Sequence, residues 1–154
     1  MARWKQVLRE ALAAVVGYAV IVALTTLGLE VWMEGVELWG AGLATQLQAT
    51  FVAVVSGLAG GAVAALVGGR PLRDAALVLI FLVLDTAYVV LVFESPAPTW
   101  FRLMGSVTLM AATLAGGLLV AVLRRRRKTL LAGVTEENGH PEVDFGRREG
   151  KESW

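Results

Sequence analysis

One carboxylate, Asp85, stands in the middle of a long apolar stretch, where its charge could support chemistry. It lies in the segment 79–90, which reads LIFLVLDTAYVV. A charged aspartate at the centre of a bilayer costs about 2.5–3.5 kcal/mol on insertion scales. We therefore expect Asp85 to face the interior of a helix bundle, either protonated or bound to polar partners.

Four hydroxyl-bearing residues could accompany Asp85 at a similar depth. Tyr18, Ser56 and Thr113 lie near the middle of three other apolar stretches. Tyr88 follows Asp85 by three positions and would share its helix face. This candidate intramembrane site could be proton-coupled, with the carboxyl group titrating and the hydroxyl groups steadying it. Alternatively, a neutral Asp85 could fix helix packing through hydrogen bonds worth about 0.6–2 kcal/mol each.

The residues needed for most enzyme sites are missing from the apolar stretches. The chain has no cysteine, which excludes thiolate catalysis, and its one histidine, His140, lies in a polar tail. Histidine-ligated haem or zinc within the membrane is thus excluded. One carboxylate without a second acid, a nucleophile–base pair or a metal-ligand set does not make a recognisable active site. We predict no enzymatic activity, no cofactor and no metal.

Four apolar stretches must position these residues. They cover 7–29, 43–67, 75–93 and 100–123 in a chain of 154 residues that is 56% hydrophobic. Each is close to the roughly 20 residues that cross a bilayer core as a helix. The apolar residues are continuous rather than periodic, so most helix sides should face lipid or another helix. The prediction is an all-α integral membrane four-helix bundle that forms one domain, residues 1–123.

Basic residues near the ends of these stretches are concentrated on one side of the predicted bundle. The other side carries a single one, Arg102, together with acidic residues. Because lysine and arginine favour the cytoplasmic side, both termini are predicted to be cytoplasmic, which agrees with an even number of spans. The ten residues on the basic side are Arg3, Lys5, Arg9, Arg70, Arg73, Arg124, Arg125, Arg126, Arg127 and Lys128.

Local signals mark the turns between spans. Gly69 suits a left-handed helix end, and Pro71 cannot continue the preceding helix. Asp74 should lie near the N-terminus of the third span, where the helix dipole favours a carboxylate. Thr99, after a proline-rich turn, is suited to cap the fourth span.

The segment 29–39 has helical periodicity. Glu30, Glu34 and Glu37 share one face, and Leu29, Trp32, Val36 and Trp39 share the opposite one. The pattern predicts a short amphipathic helix on the outer membrane surface. The carboxylates could collect cations, but a hard cation needs several converging oxygens, so a solvated face is the simpler interpretation.

Small residues form two parallel ridges on the second span, and the fourth span repeats the pattern. Such ridges let helix backbones approach closely, which drives association in lipid. They could all pack within one bundle, or one ridge could bind a second protein. The first ridge is Ser56, Gly60, Ala64 and Gly68; the second is Gly57, Gly61, Ala65 and Gly69; span four adds Ala112, Thr113, Gly116 and Gly117.

A polar segment, 124–154, follows the fourth span and is predicted to be a cytoplasmic tail. It begins with a basic run that should anchor the topology and contact anionic lipid, worth about 1 kcal/mol per basic residue. The rest of the tail mixes both signs of charge and lacks aromatic stacking residues, so no nucleic-acid partner is expected. The basic run is Arg124, Arg125, Arg126, Arg127 and Lys128.

Several segments together resemble small bacterial four-span inner-membrane proteins with no assigned activity. The resemblance rests on Gly17-Tyr18, on Gly60-Gly61 through Gly69-Arg70-Pro71, on 96–100 (PAPTW) and on Ala115-Gly116-Gly117. It covers most of the membrane part and none of the tail. It implies a bacterial inner-membrane location and carries no functional residue with it.

Packing features are abundant in this chain and reactive ones are scarce. The leading hypothesis is therefore a non-enzymatic accessory or assembly subunit of a membrane complex, bound to other membrane subunits or to itself. The alternative is a small homo-oligomeric proton-coupled transporter or channel that uses Asp85.

Overall fold

The part of the chain that the structure describes folds into four α-helices, each long and apolar enough to cross a membrane. The structure, a computed structural model, describes residues 2–34, 37–92 and 98–132, and this part contains no strand. The helices are α1 (Ala2–Thr26), α2 (Leu43–Gly68), α3 (Pro71–Leu91) and α4 (Thr99–Ala132), and a π-helix (Leu27–Trp32) continues α1. The predicted all-helical architecture with four potential spans is confirmed.

Two of the helices are longer than the predicted spans. With the π-helix, the first helix that could cross a membrane runs Trp4–Trp32, and the fourth runs Thr99–Leu130. The basic run at 124–128 is therefore helical, because α4 continues without a break to Ala132. Residues 133–154, which include His140, lie outside the described part of the chain.

The turn between α2 and α3 follows from its sequence. Gly69 adopts a left-handed conformation with φ of 96°, and its N–H group donates to the carbonyl oxygen of Ala65. Pro71 then occupies the first position of α3, where its missing N–H group costs no hydrogen bond. The predicted helix end at Gly69 is confirmed, as is the place of Asp74 in the first turn of α3.

Helix α2 is the central helix, because both of its small-residue ridges face helices of the same chain. On the first ridge, Gly60 meets Ile21 and the backbone of Gly17 in α1. On the second ridge, Gly57 meets Ala112 and Gly61 lies against the backbone of Thr113 in α4. Neither ridge is left over for a second protein.

Helix α4 uses its own glycines to pack against two neighbours. Gly116 lies against the backbone of Leu58 in α2, and Gly117 against Ala75 and the backbone of Pro71 in α3. Ile21, Ala64, Val78 and Leu82 form a cluster in the buried apolar core between the helices.

The segment 29–39 starts as the π-helical continuation of α1 and then turns. Glu30 and Trp32 belong to the π-helix, Trp39 lies in a turn, and Gly35 and Val36 are outside the described residues. Trp39 packs edge-to-face on Trp100 and Phe101, with ring centroids 6.0 Å and 5.3 Å away. The segment is thus attached to the start of α4.

Candidate functional site

The sequence predicts Asp85 inside the helix bundle, but the structure leaves this residue exposed. The buried residues of α3 are Asp74, Ala75, Val78 and Leu82. Asp85 follows Leu82, Val78 and Asp74 by three, seven and eleven positions, so it lies on the same face of α3 as these buried residues. It is exposed because no residue of α3 beyond Leu82 is buried.

Tyr18 of α1 is a polar neighbour of Asp85. Its phenol interacts with the Asp85 carboxyl group, and its ring stacks on Phe81 with centroids 5.4 Å apart. Tyr88 is also exposed, with 56% of its surface accessible. Three of the five predicted polar residues therefore belong to one surface, formed by α1 and α3.

The other two predicted residues, Ser56 and Thr113, are enclosed within the bundle. The Thr113 hydroxyl group donates to the carbonyl oxygen of Leu109 in its own helix, at 2.8 Å. Within the described part of the chain, no hydrogen bond links Ser56 or Thr113 to Asp85. The five residues do not form a single site, because equal depth in the membrane does not give a shared direction.

The residues around Asp85 on α3 are apolar and exposed. Ile80, Val83 and Leu84 have more than half of their surface accessible. In a bilayer these side chains would face lipid. Asp85 is also exposed, although it lies about 100–160° around the helix from them, on the side of Tyr18. A carboxylate with the Tyr18 hydroxyl group beside it must still be protonated or covered by a further polar group.

A second polar region lies at the end of the bundle that carries Arg9, Arg70, Arg73 and Arg124, which we call the basic end. Glu10 of α1 is buried there, although it is charged. Its carboxylate accepts from Arg73 at 3.0 Å and from Arg70 at 3.3 Å. Gln6 also donates to it, at 3.0 Å. This cluster ties α1 to the start of α3.

The last turn of α2 is held by arginines from two other helices. Arg9 Nε donates to the carbonyl oxygen of Val67 at 2.7 Å. Arg124 of α4 donates to the carbonyl oxygens of Gly69 at 2.8 Å and Ala65 at 3.1 Å. The final carbonyl groups of a helix lack partners within it and carry partial negative charge. Both arginines therefore stabilise this helix end.

Asp74 completes the basic end. It is fully buried and accepts from the backbone N–H group of Arg70 at 2.6 Å. Its carboxylate lies against Gly68, so a side chain at that position would displace it. The ridge pattern alone would allow alanine at position 68. The contact with Asp74 explains why glycine is needed there.

A groove opens beside these residues, between the start of α3 and the last turns of α4. Its volume is about 500 Å³. We call it the basic groove; it is lined by Gly69, Arg70, Pro71, Leu72, Arg73, Ala121, Arg124, Arg125 and Lys128. Arg126 and Arg127, from the same basic run, are not among the lining residues.

Sequence reasoning missed Glu10 and the roles of Arg9 and Arg124. The count of basic residues explained the arginines by membrane topology alone. Topology requires no specific partner for an arginine side chain. A signal was nevertheless present: Glu10 is an acidic residue placed among basic ones at the start of an apolar stretch. Such a residue is expected to pair with the basic residues of neighbouring spans.

No protein-family model, curated protein or solved structure matches the chain. Among the described residues, no group of three histidine, aspartate or glutamate side chains could hold a metal ion. The geometry thus offers two polar features from which to infer a function: an exposed carboxyl group in the middle of α3 and a cationic groove at one end.

Proposed function

We propose that the chain is a non-enzymatic accessory or assembly subunit of a membrane complex. In this proposal another subunit packs on the α1–α3 surface around Asp85. The observation that carries the proposal is the exposed carboxyl group of Asp85, in the middle of a helix long and apolar enough to cross a membrane. We call this region the Asp85 surface; it consists of Tyr18, Asp85 and Tyr88.

The cost of a lipid-facing carboxylate supports a protein partner. Exposure of the charge to hydrocarbon costs about 2.5–3.5 kcal/mol on insertion scales. A partner helix that offers a basic or hydrogen-bonding side chain would remove much of this cost. Binding would then be favoured without a large apolar driving force, which is absent between helices in lipid.

The positions of the basic residues favour a different protein over a second copy of this chain. Every lysine and arginine in the sequence lies near the end of an apolar stretch or in the polar tail. A second copy therefore has no basic side chain at the depth of Asp85. A different subunit with a lysine or arginine in the middle of a span would supply the missing charge.

The alternative function is a homo-oligomeric proton-coupled transporter or channel. The interaction between Tyr18 and Asp85 favours it, because it pairs a hydroxyl group with a carboxyl group across two helices. Symmetric copies that met at this surface would bring their Asp85 carboxyl groups together. Two such groups share a proton, since both cannot stay ionised at close range.

We further propose that the protein resides in a bacterial inner membrane with both termini in the cytoplasm. The excess of basic residues at one end of the four helices supports this orientation. The resemblance to small bacterial four-span proteins supports the location. In this orientation the segment 29–39 lies at the outer membrane surface, with its tryptophans at the interface.

Native mass spectrometry after gentle detergent extraction, at natural abundance, tests the proposal. The wild-type chain is expected to co-purify with at least one different membrane protein. Asp85→Leu, which suits lipid better than aspartate, should reduce the amount of that partner about tenfold, equivalent to about 1.4 kcal/mol. Leu84→Ala, the matched control on the adjacent exposed position, should retain it.

Other results would redirect the assignment. If only homo-oligomers of the chain are found, the accessory role is wrong and the alternative is favoured. Proton flux into liposomes would then be compared between the wild-type chain and Asp85→Asn. If the partner is retained by Asp85→Leu as well as by the wild type, the Asp85 surface is not the binding site.

A further inference from the structure

We propose that the basic groove binds the phosphate group of an anionic phospholipid. This inference does not depend on the accessory role or on Asp85. It rests on three properties of the groove: its uncompensated positive charge, the backbone N–H groups at its edge, and the apolar side chains that share its lining.

Positive charge in the groove exceeds the negative charge beside it. Five cationic side chains line it, and among the described residues only Glu10 and Asp74 are carboxylates in the same part of the bundle. Arg70 and Arg73 pair with Glu10, and Arg124 is engaged with backbone carbonyl groups, which leaves its charge uncompensated. The five cationic residues are Arg70, Arg73, Arg124, Arg125 and Lys128.

Arg125 and Lys128 are the side chains that remain available to a ligand. Both are exposed, and neither side chain forms an ion pair or hydrogen bond with another residue in the described ranges. They are three positions apart on α4 and so lie on one helix face. An anion between them would also lie near the guanidinium group of Arg124, one residue away.

The start of α3 adds hydrogen-bond donors to the same groove. Asp74 is the first residue of α3 whose backbone N–H group donates to the carbonyl oxygen four positions earlier, that of Arg70, at 2.8 Å. The N–H groups of Leu72 and Arg73 precede it and have no acceptor within the helix. They stand at the positive end of the helix dipole, a position that suits a phosphate group.

The lining and the place of the groove favour a lipid over a soluble anion. Leu72 and Ala121 line it beside the cations, and more than half of the Leu72 surface is accessible. The groove lies where the apolar part of α4 ends, at Leu123, and the basic run begins. A phospholipid places a phosphate group next to hydrocarbon, and basic pockets between helices at this level bind such headgroups.

The structure also divides the basic run in a way that the sequence does not. Arg125 and Lys128 line the groove, whereas Arg126 and Arg127 do not. A general attraction between a cationic segment and an anionic membrane would treat all four alike. A specific site would depend on Arg125 and Lys128 and not on Arg126 and Arg127. Substituting either pair removes the same charge, so the two double variants are matched.

The test measures lipid binding to the purified, delipidated full-length chain by native mass spectrometry. Dioleoyl phosphatidylglycerol and dioleoyl phosphatidylcholine are titrated separately. The wild-type chain should retain the phosphatidylglycerol in preference to the phosphatidylcholine. The double variant Arg125→Gln/Lys128→Gln should bind phosphatidylglycerol about 30-fold more weakly. The control Arg126→Gln/Arg127→Gln should bind it within about threefold of the wild type.

Three results would overturn the proposal. The site is absent if both double variants lose affinity equally, since binding then follows total charge. It is also absent if Arg125→Gln/Lys128→Gln keeps wild-type affinity. If inorganic phosphate or pyrophosphate stabilises the wild-type chain against heat as strongly as phosphatidylglycerol does, and only through Arg125 and Lys128, the ligand is a soluble anion and not a lipid.

Discussion

Glu10 shows most directly how a single side chain connects distant parts of this sequence. Its carboxylate is buried and joins α1 to Arg70 and Arg73, some 60 positions later in the chain. Both arginines are more than half exposed, with 52% and 57% of their side chains accessible. Solvent therefore screens the pairs, and each contributes modestly despite the burial of Glu10.

Neutralising Glu10 should weaken the bundle by a measurable but small amount. We expect Glu10→Gln to lower the free energy of unfolding by about 1 kcal/mol, because it removes a charged acceptor shared by two arginines. Unfolding in mixed detergent micelles, followed by circular dichroism, measures the change. Glu30→Gln is the control: Glu30 is exposed and has no ion pair in the described part of the chain, so its change should stay within about 0.5 kcal/mol.

A double-mutant cycle isolates the pair itself. The coupling energy between Glu10→Gln and Arg73→Gln should be about 0.5–1 kcal/mol at low salt and should decrease as salt is added. A coupling energy of zero at low salt would contradict the ion pair seen in the structure.

Asp85 shows what could not be predicted at the residue scale. The sequence places it at the middle of an apolar stretch, and that depth follows from counting residues. Its exposure depends on where along α3 the packing against α1, α2 and α4 ends, and this is decided by side chains on those helices. Depth is a local property of one stretch, whereas burial is a property of the bundle.

At the scale of elements, α2 packs through backbone contact on two sides. A Cβ atom added at Gly17 of α1 would lie 2.8 Å from that of Ala64 on the first ridge. On the second ridge, Gly61 lies directly against the carbonyl group of Thr113. A backbone neighbour cannot rotate away as a side chain can, so these glycines control the separation of the helices.

Adding a methyl group at Gly61 should therefore separate α2 from α4. We expect Gly61→Ala to lower the free energy of unfolding by about 1–3 kcal/mol through overpacking. Gly105→Ala on α4 is the control, because nothing lies within 4 Å of the added methyl group. The control should be neutral or stabilising by up to about 1 kcal/mol, since alanine favours a helix over glycine.

Unfolding in mixed detergent micelles again gives both values. Equal stability of the two alanine variants would show that the second ridge does not contact α4 as described.

The elements themselves could be predicted because their signals are local. Apolar length gave the four helices, and Gly69 with Pro71 gave the boundary between α2 and α3. The small residues on α2 indicated close packing but left open which helix each ridge would meet. That assignment needs the whole set of spans, as does the finding that both ridges are used within the chain.

At the scale of the whole molecule, four helices that cross a membrane would place both ends of the chain on one side. The chain has no cysteine, so single cysteines can report on this without a background signal. We expect Lys5→Cys and Arg126→Cys to react with a membrane-impermeant maleimide only from the cytoplasmic side. Glu37→Cys should react only from the opposite side.

Labelling in intact cells and in inverted vesicles makes the comparison. Reaction of Lys5→Cys and Arg126→Cys from opposite sides would mean that one of the four helices does not cross the membrane.

The position of α2 between α1 and α4 also has a consequence for biosynthesis. Chains are made from the N-terminus at about 5–20 residues per second, and N-terminal segments begin to fold first. Gly60 can meet α1 as soon as α2 enters the membrane, but Thr113, the partner of Gly61, is made roughly 50 residues later. For about 3–10 seconds the second ridge would lie in the bilayer without its packing partner, α4. During that interval the nascent protein exposes a small-residue surface that is buried in the folded protein. We expect an insertion chaperone to bind this surface until α4 has been made.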